Sequence, residues 1–190
     1  ENSYRGVNIA FANELSMVCE KLNIDVGEGI RLAKGHPRVN VLQPGPGVGG
    51  HCIAVDPWFI VHSAPEEAKL IRAAREINEH KTEHVVDRVR HAAERFRAPV
   101  IACLGLSYKA DIDDLRESPS VHIVKELAKT GFEILAVEPN IDELPTELAT
   151  TTNLRLAALE EAITEADIVV LLVDHKEFKR IRSEERRVGK

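Results

Sequence analysis

The sequence predicts an α + α/β fold, in which a helical first half is joined by a long helix to a second half of alternating strands and helices. Apolar residues recur at helical spacing through the first half, residues 66–96 contain no Gly or Pro, and short apolar segments alternate with helical ones after Pro99. The 190 residues, 44% hydrophobic and 29% charged, suffice for one large core or two small ones. We expect two domains, residues 1–97 and 98–190.

Two helices are predicted at the start of the chain. From Asn8 to Ile24, apolar residues recur three and four positions apart, as on one face of a helix. Asp25 can cap a second, short helix over residues 28–33, which Gly35 and Pro37 would end.

A glycine-rich loop and a long helix follow. Residues 43–51 hold four glycines and two prolines, a composition typical of irregular backbone. Pro65 fits the first turn of a helix over residues 66–96. Because typical globular helices have ~10–14 residues, we expect this one to join two domains or form a subunit interface, with the domain boundary near residues 97–99.

The second half has the order of an α/β fold. Residues 100–106, 133–137 and 168–173 are apolar on both faces, as are strands of a parallel sheet covered by helices. Residues 120–129 and 156–163 have helical spacing. This alternation predicts a Rossmann-like domain.

Charge and hydropathy argue against several classes of protein. A net charge of −6 disfavours nucleic acid or an anionic membrane as the main partner. The longest aliphatic run, residues 168–173, is far shorter than the ~20 apolar residues of a transmembrane helix. Cys19, Cys52 and Cys103 cannot all pair internally and lack zinc-site spacing. We therefore expect reduced thiols, no metal site and a cytoplasmic protein.

The densest chemical signal is Cys52, which directly follows the glycine-rich loop. Glycines let a substrate approach closely and leave backbone N–H groups available. If Cys52 opens a helix, the helix dipole would favour its thiolate, and Asp56 would share its face. The alternative is a buried cysteine after an ordinary loop.

Neither half carries a dinucleotide fingerprint. No strand precedes the glycine-rich loop, and the G-x-G-x-x-G spacing is absent from it. In the second half, the segment after the first strand, residues 104–109, holds only Gly105. We therefore do not expect the second domain to bind NAD in the usual way.

Three motifs in order identify a family. They are residues 1–14 (ENSYRGVNIAFANE), the Gly49-Gly50-His51-Cys52 loop with Asp56, and the GLSYK and DLRES segments within residues 105–118. With these motifs the chain resembles the UDP-glucose/GDP-mannose dehydrogenase family over residues 1 to about 182. Residues 36–40 and 43–52 are most similar to members that act on UDP-N-acetyl-D-mannosamine.

The resemblance implies a cytoplasmic, NAD-dependent oxidoreductase of polysaccharide biosynthesis that oxidises the C6 alcohol of a nucleotide sugar to a carboxylate with two NAD+. By resemblance, Cys52 forms a thiohemiacetal and then a thioester. Asp56 would orient the hydrolytic water, and Asn2 would hold that water or the oxyanion.

The resemblance also implies ligand contacts and an assembly. Arg116 matches a residue placed towards the cofactor phosphates or the active-site cleft, and the central helices match those that form a homodimer. For the arginines, the alternative is a solvated surface charge. The positions that match contacts to the UDP-sugar are Arg5, His36, Arg38, Gly49, Tyr108 and Lys109.

Both ends of the sequence depart from the family pattern. The chain starts with Glu1 inside an amphipathic pattern, and the family's amino-terminal NAD-binding domain and a lysine four residues before Asn2 are missing. We expect an internal fragment that lacks turnover by itself. Residues 183–190 do not continue the family pattern, and we expect them to be foreign sequence.

Other functions stay open from the sequence alone. One is a non-catalytic dimerisation or UDP-sugar-binding module, which an NAD-binding domain encoded immediately upstream would argue against. Another is a related dehydrogenase acting on UDP-N-acetylglucosamine, UDP-glucose or GDP-mannose, since such enzymes share the catalytic loop. Substrate screening separates these activities.

Overall fold

The structure, a computed structural model, describes residues 1–181, so the segment expected to be foreign, residues 183–190, lies outside the described residues. The chain divides into two compact units, unit 1 over residues 1–83 and unit 2 from His84 onwards. The division falls inside a helix, whereas the predicted boundary follows residue 97, beyond that helix. No helix in the described part of the chain combines the length and apolar character needed to cross a membrane.

Unit 1 is helical, as predicted. It contains α1 (Asn2–Lys21), α2 (Val26–Ala33), α3 (His51–Ser63) and the first part of α4 (Lys69–Ala93).

Local chemistry fixes the ends of the first two helices. Helix α1 ends before the predicted Ile24 because Asn23 adopts a left-handed conformation (φ 57°), and the Ile24 N–H donates back to the Cys19 carbonyl at 2.8 Å. The predicted cap of α2 is confirmed, since the Asp25 carboxylate accepts a hydrogen bond from the Glu28 N–H at 3.0 Å.

The long helix α4 is confirmed but is shorter at both ends than predicted. Residues 65–67 form a turn, in which the Ala68 N–H donates to the Ala64 carbonyl at 2.9 Å. Two buried side chains attach α1 to α4: Asn13 donates to Asn78 at 2.9 Å, and Asn78 donates to the Gly6 carbonyl at 3.1 Å. Such pairing is required of buried amides.

Unit 2 holds a parallel sheet of four strands in the order β3-β2-β1-β4, which confirms the α/β prediction. The strands are β1 (Val100–Leu104), β2 (Glu133–Val137), β3 (Leu154–Leu156) and β4 (Ile168–Leu171). The helices are α5 (Pro119–Lys129), α6 (Thr146–Ala149), α7 (Leu159–Glu165) and a 3₁₀-helix, Lys176–Arg180.

The predicted helix over residues 156–163 begins too early. Leu156 belongs to the edge strand β3, and α7 begins at Leu159. The strand has only three residues, too few to give an alternating pattern.

Both faces of the sheet are covered, which explains why β1, β4 and β2 after Glu133 are apolar. One face packs on α5 and on the last turns of α4, where Val86, Val89 and Ala93 are buried. The other face packs on α7 and the 3₁₀-helix through Ala162 and Phe178. The end of α4 therefore belongs to the core of unit 2.

Candidate functional site

The glycine-rich loop is irregular, as predicted, and is tied to two helices of unit 1. The Gly45 N–H donates to Asn13 Oδ1 at 2.9 Å, and Thr82 Oγ1 donates to the Pro46 carbonyl at 2.8 Å. The loop ends at Gly50, whose φ of 80° suits glycine and which directly precedes α3. These contacts fix where the first turn of α3 begins.

Cys52 lies in the first turn of α3 and is exposed. Asp56 follows four residues later, a spacing that places two side chains on one face of a helix. Asn2 Nδ2, in the first turn of α1, donates to Asp56 Oδ2 at 2.6 Å. The structure therefore joins two of the three predicted catalytic residues directly and places the third on the same helix as Asp56.

The other two thiols have different surroundings. Cys19 is buried in α1, and Cys103 is completely buried in β1. Burial raises the pKa of Cys103 to about 12, because a thiolate would lose its hydration there. Of the three thiols, only that of Cys52 is exposed to solvent.

The remaining predicted residues of unit 1 lie at its surface. Arg5 is exposed in α1, one turn after Asn2, and His36 and Arg38 are exposed after α2. The Arg38 N–H donates to His36 Nδ1 at 3.3 Å. Gly49 lies in the loop before α3 and is half-buried. Their assignment to the nucleotide sugar stays a prediction.

In unit 2, Tyr108 and Lys109 lie in the loop that follows β1, and both are exposed. The strand ends at Leu104, and the φ of 94° at the following residue, Gly105, suits glycine. The Tyr108 N–H donates to the Asp114 carbonyl at 3.1 Å, and Ser107 Oγ donates to the Lys109 carbonyl at 2.7 Å. The loop backbone is thus fixed while both predicted side chains face solvent.

Arg116 is exposed and pairs with Asp114. Its Nε lies 2.9 Å from Asp114 Oδ1, and its Nη2 lies 2.6 Å from Oδ2. Hydrogen bonds from Arg116 lower the pKa of Asp114 to about 2. A carboxylate of its own loop holds the guanidinium, whose placement towards the cofactor phosphates or the active-site cleft stays a prediction.

The sequence reasoning missed a buried polar cluster at the carboxyl ends of the strands. It consists of Glu138, which follows β2, His175, which follows β4, and Ser107, which follows β1. His175 Nε2 lies 3.1 Å from Glu138 Oε2 and 3.2 Å from Ser107 Oγ. Polar residues that follow apolar strands of a parallel sheet are the signal that could have revealed it.

The same cluster does not fit a dinucleotide. Glu138 Oε2 accepts hydrogen bonds from the Leu106 N–H at 2.7 Å and the Ser107 N–H at 3.0 Å. In the Rossmann mode of binding, the pyrophosphate of the dinucleotide lies against the N–H groups directly after the first strand, which must then be free. This carboxylate therefore occupies the donors that a Rossmann cofactor site would use.

A metal ion is also not assigned to a second group of side chains, which shares His175 with this cluster. Ligand atoms of Asp111, His175 and Glu177 lie within 4.8 Å of one another. However, His175 Nδ1 accepts a hydrogen bond from the Asp111 N–H at 2.9 Å, so its lone pair is already used.

Comparison with known proteins places both units in one family. Residues 1–80 match the central domain of the UDP-glucose/GDP-mannose dehydrogenase family, and residues 102–188 match its UDP binding domain.

Curated relatives and solved structures give similar results. The chain is 58% identical over 182 residues to an NDP-N-acetyl-D-galactosaminuronic acid dehydrogenase of Ralstonia solanacearum, covering 95% of the chain and 42% of that protein. It is 56% identical over 185 residues to a UDP-N-acetyl-D-mannosamine dehydrogenase of Campylobacter jejuni, covering 97% and 46%. The structure of a UDP-N-acetyl-mannosamine dehydrogenase from S. aureus superimposes with a TM-score of 0.81 at 43% identity, covering 98% of this chain and 43% of that one. The chain thus spans less than half the length of these relatives.

Proposed function

The chain belongs to the UDP-glucose/GDP-mannose dehydrogenase family, and we propose that it supplies the nucleophile and the UDP site of a nucleotide-sugar 6-dehydrogenase. The proposed reaction converts the C6 alcohol of a UDP-sugar to a carboxylate, with the release of two NADH. The observation that carries the proposal is the exposed Cys52 at the start of α3, on the same helix as Asp56, which Asn2 contacts at 2.6 Å.

The proposed chemistry of Cys52 begins with the aldehyde that the first oxidation produces. The Cys52 sulfur adds to the aldehyde carbon, and the carbonyl oxygen takes up a proton, which gives a thiohemiacetal. Loss of a hydride from that carbon, which NAD+ would accept, together with loss of the hydroxyl proton leaves a thioester. Water then attacks the thioester carbon, the C–S bond breaks, and the carboxylate leaves with regeneration of the thiol.

Asp56 and Asn2 are proposed to serve the hydrolytic step. The Asp56 carboxylate can accept a proton from the attacking water. Its Oδ2 already accepts a hydrogen bond from Asn2 Nδ2, which holds the carboxylate in one orientation. This arrangement is suited to breaking down a thioester.

Family members are NAD-dependent dehydrogenases, and we place the cofactor in a domain outside this sequence. When bound, NAD+ accepts one hydride from C6 in each oxidation. The match of residues 102–188 to a UDP binding domain supports a site for UDP in unit 2. We expect the 190-residue chain alone to lack turnover.

For the substrate, we propose a UDP-N-acetylhexosamine, with UDP-N-acetyl-D-mannosamine as the preferred member. The match of residues 102–188 to a UDP binding domain supports the nucleotide. Relatives named for N-acetylated amino sugars support the sugar. The proposed contacts are Arg5, His36, Arg38, Gly49, Tyr108 and Lys109, with Arg116 towards the cofactor.

We also propose a homodimer formed through unit 1, in the cytoplasm. Helices α1, α3 and α4 leave large apolar side chains exposed, among them Phe11, Phe59 and Leu70. Exposed apolar surface of this kind is typical of subunit interfaces. The absence of disulfides among the three cysteines fits a reducing compartment.

The proposed catalysis is tested in the complete enzyme of which we propose this chain is a part. Cys52→Ser should reduce formation of the acid about 10³-fold or more, because a serine hydroxyl without a base is a poor nucleophile. Asp56→Asn should accumulate the covalent thioester, visible by intact mass. Screening UDP-sugars with the parent enzyme identifies the preferred sugar.

A thiol remote from the site provides the control. Cys19→Ala removes a buried thiol of the same unit and should leave the rate of acid formation unchanged. Formation of the acid at the parent rate by Cys52→Ser would show that covalent catalysis at this residue is wrong.

A further inference from the structure

The loop that follows β1, residues 105–111, is held by side chains from other parts of unit 2. We call it the β1 loop. Its first residue is fixed by the sheet, because the Gly105 N–H donates to the Val137 carbonyl at 2.8 Å. Its middle residues, Tyr108 and Lys109, expose their side chains.

Glu138 fixes the start of the β1 loop. Its side chain is completely buried, and Oε2 accepts hydrogen bonds from the Leu106 and Ser107 N–H groups. Oε1 accepts from the N–H and from Nδ2 of Asn140, at 3.2 and 3.0 Å. A buried carboxylate is costly unless such bonds satisfy it, so displacing the loop would remove two of its donors.

His175 contacts both ends of the β1 loop. Because its Nδ1 accepts the Asp111 N–H, the proton of the neutral ring lies on Nε2 and points towards Glu138 and Ser107. The Ser107 hydroxyl donates a hydrogen bond to the Lys109 carbonyl at 2.7 Å. Its oxygen therefore acts as the acceptor towards His175 Nε2. One buried ring therefore connects residues on either side of Tyr108 and Lys109.

A second contact closes the far end of the loop. The Lys176 N–H donates to Asp111 Oδ1 at 2.9 Å, which joins the segment after β4 to the β1 loop. Asp111 holds a left-handed conformation with φ of 61°. Since non-glycine residues rarely adopt this conformation without support, these contacts define one loop conformation.

We propose that Glu138, His175 and Ser107 are positioning residues, which hold the β1 loop so that Tyr108 and Lys109 are ready to bind the UDP part of the substrate. This inference rests on the proposed function of unit 2. A loop that is ordered before binding does not lose conformational freedom when the ligand arrives. If the loop adopts its binding conformation only a tenth of the time, the apparent Kd rises about tenfold.

The test combines UDP titration of the 190-residue chain by calorimetry with amide hydrogen exchange in the absence of UDP. His175→Ala should speed exchange at residues 106, 107 and 111 and raise the Kd for UDP about tenfold. His175→Asn keeps an acceptor for the Asp111 N–H and should restore protection at residue 111. Ser107→Ala, which loses the bond to the Lys109 carbonyl, should raise the Kd about threefold.

A matched control separates positioning from general stability. Val124→Ala removes two methyl groups from the core of unit 2 on α5, at a side chain that takes part in none of the cluster's hydrogen bonds. It should lower the Tm but leave the Kd for UDP unchanged. If circular dichroism shows that His175→Ala does not fold, Ser107→Ala replaces it in the comparison of exchange rates and UDP affinity with Val124→Ala.

Three results would overturn the positioning role. In the first, the variants exchange as slowly as the parent. In the second, exchange accelerates but UDP affinity stays at the parent value. In the third, Val124→Ala weakens UDP binding as much as His175→Ala at a similar Tm. Failure of the parent chain to bind UDP would instead contradict the proposed function of unit 2, before any variant is compared.

Discussion

At Cys52 the chain exposes a thiol at the start of a helix, whereas it buries its other two thiols. Exposure and ionisation both control the rate at which a thiol reacts with an electrophile. Cys103 fails both conditions, since burial hides it and raises its pKa to about 12. Cys19 is buried within α1. Residue-level chemistry therefore singles out Cys52.

We predict that brief exposure of the native chain to iodoacetamide modifies Cys52 at least about tenfold faster than Cys19 or Cys103. Mass-spectrometric mapping of the alkylated peptides measures the three rates. A denatured sample, in which all three cysteines should react, provides the control for peptide detection. Faster labelling of either buried cysteine would contradict the assignment of Cys52 as the reactive thiol.

At the scale of elements, the sequence predicts the helices, loops and strands that have a clear local pattern. It does not predict very short strands or contacts between residues far apart in the chain. The Asp25 cap, the glycine-rich loop and the strand Glu133–Val137 follow from local sequence and agree with the structure. The three-residue strand β3 offers too few residues for a pattern. Glu138 and His175 each follow a strand, which marks them as candidates, but they are 37 positions apart, and only the folded chain shows that they meet.

For the candidate catalytic site, too, local sequence and tertiary structure supply different information. Asn2, Cys52 and Asp56 were named from motifs, but only the folded chain shows that Asn2 donates a hydrogen bond to Asp56 from 54 residues away. The exposure of Cys52 likewise depends on how α3 packs in unit 1. Motifs therefore identify candidate groups, whereas tertiary packing sets the contacts between them.

The junction between β1 and its loop gives a prediction for one element. Gly105 has a φ of 94°, and a Cβ there would lie 2.5 Å from Val173 Cβ and 2.9 Å from the Val173 nitrogen. Gly105→Ala should therefore cost about 3 kcal/mol of unfolding free energy, from backbone strain and overpacking together. Urea denaturation followed by circular dichroism measures the change.

Gly131 provides the matched control in the same unit. Its φ is 87°, but a Cβ there meets no atom within 4 Å. Gly131→Ala should therefore cost only the backbone strain, about 1 kcal/mol. Equal losses for the two variants would contradict the close approach of Val173 as the cause.

At the scale of the whole molecule, the structure changes which surface can form the proposed dimer. The sequence pattern offered one apolar stripe along residues 66–96. The last part of that stripe is used inside unit 2, where Val89 is buried and Val85 packs against the core. Leu70, near the start of α4, is 68% exposed, and Phe59 of α3 is 67% exposed. The proposed interface therefore involves unit 1 alone.

We predict that the chain sediments as a dimer, with twice the 21.1 kDa mass of one chain. The measurement is made at tens of micromolar, where a dimer with a Kd of about 1 μM contains most of the chains. Phe59→Lys should shift it to a monomer, because a charge buried without a partner opposes association. Leu171→Lys, at a 50% exposed apolar position of unit 2, is the matched control and should leave the dimer intact. A parent chain that sediments as a monomer would contradict the dimer. Equal dissociation by both variants would contradict its assignment to unit 1, since the control removes comparable apolar surface from the other unit.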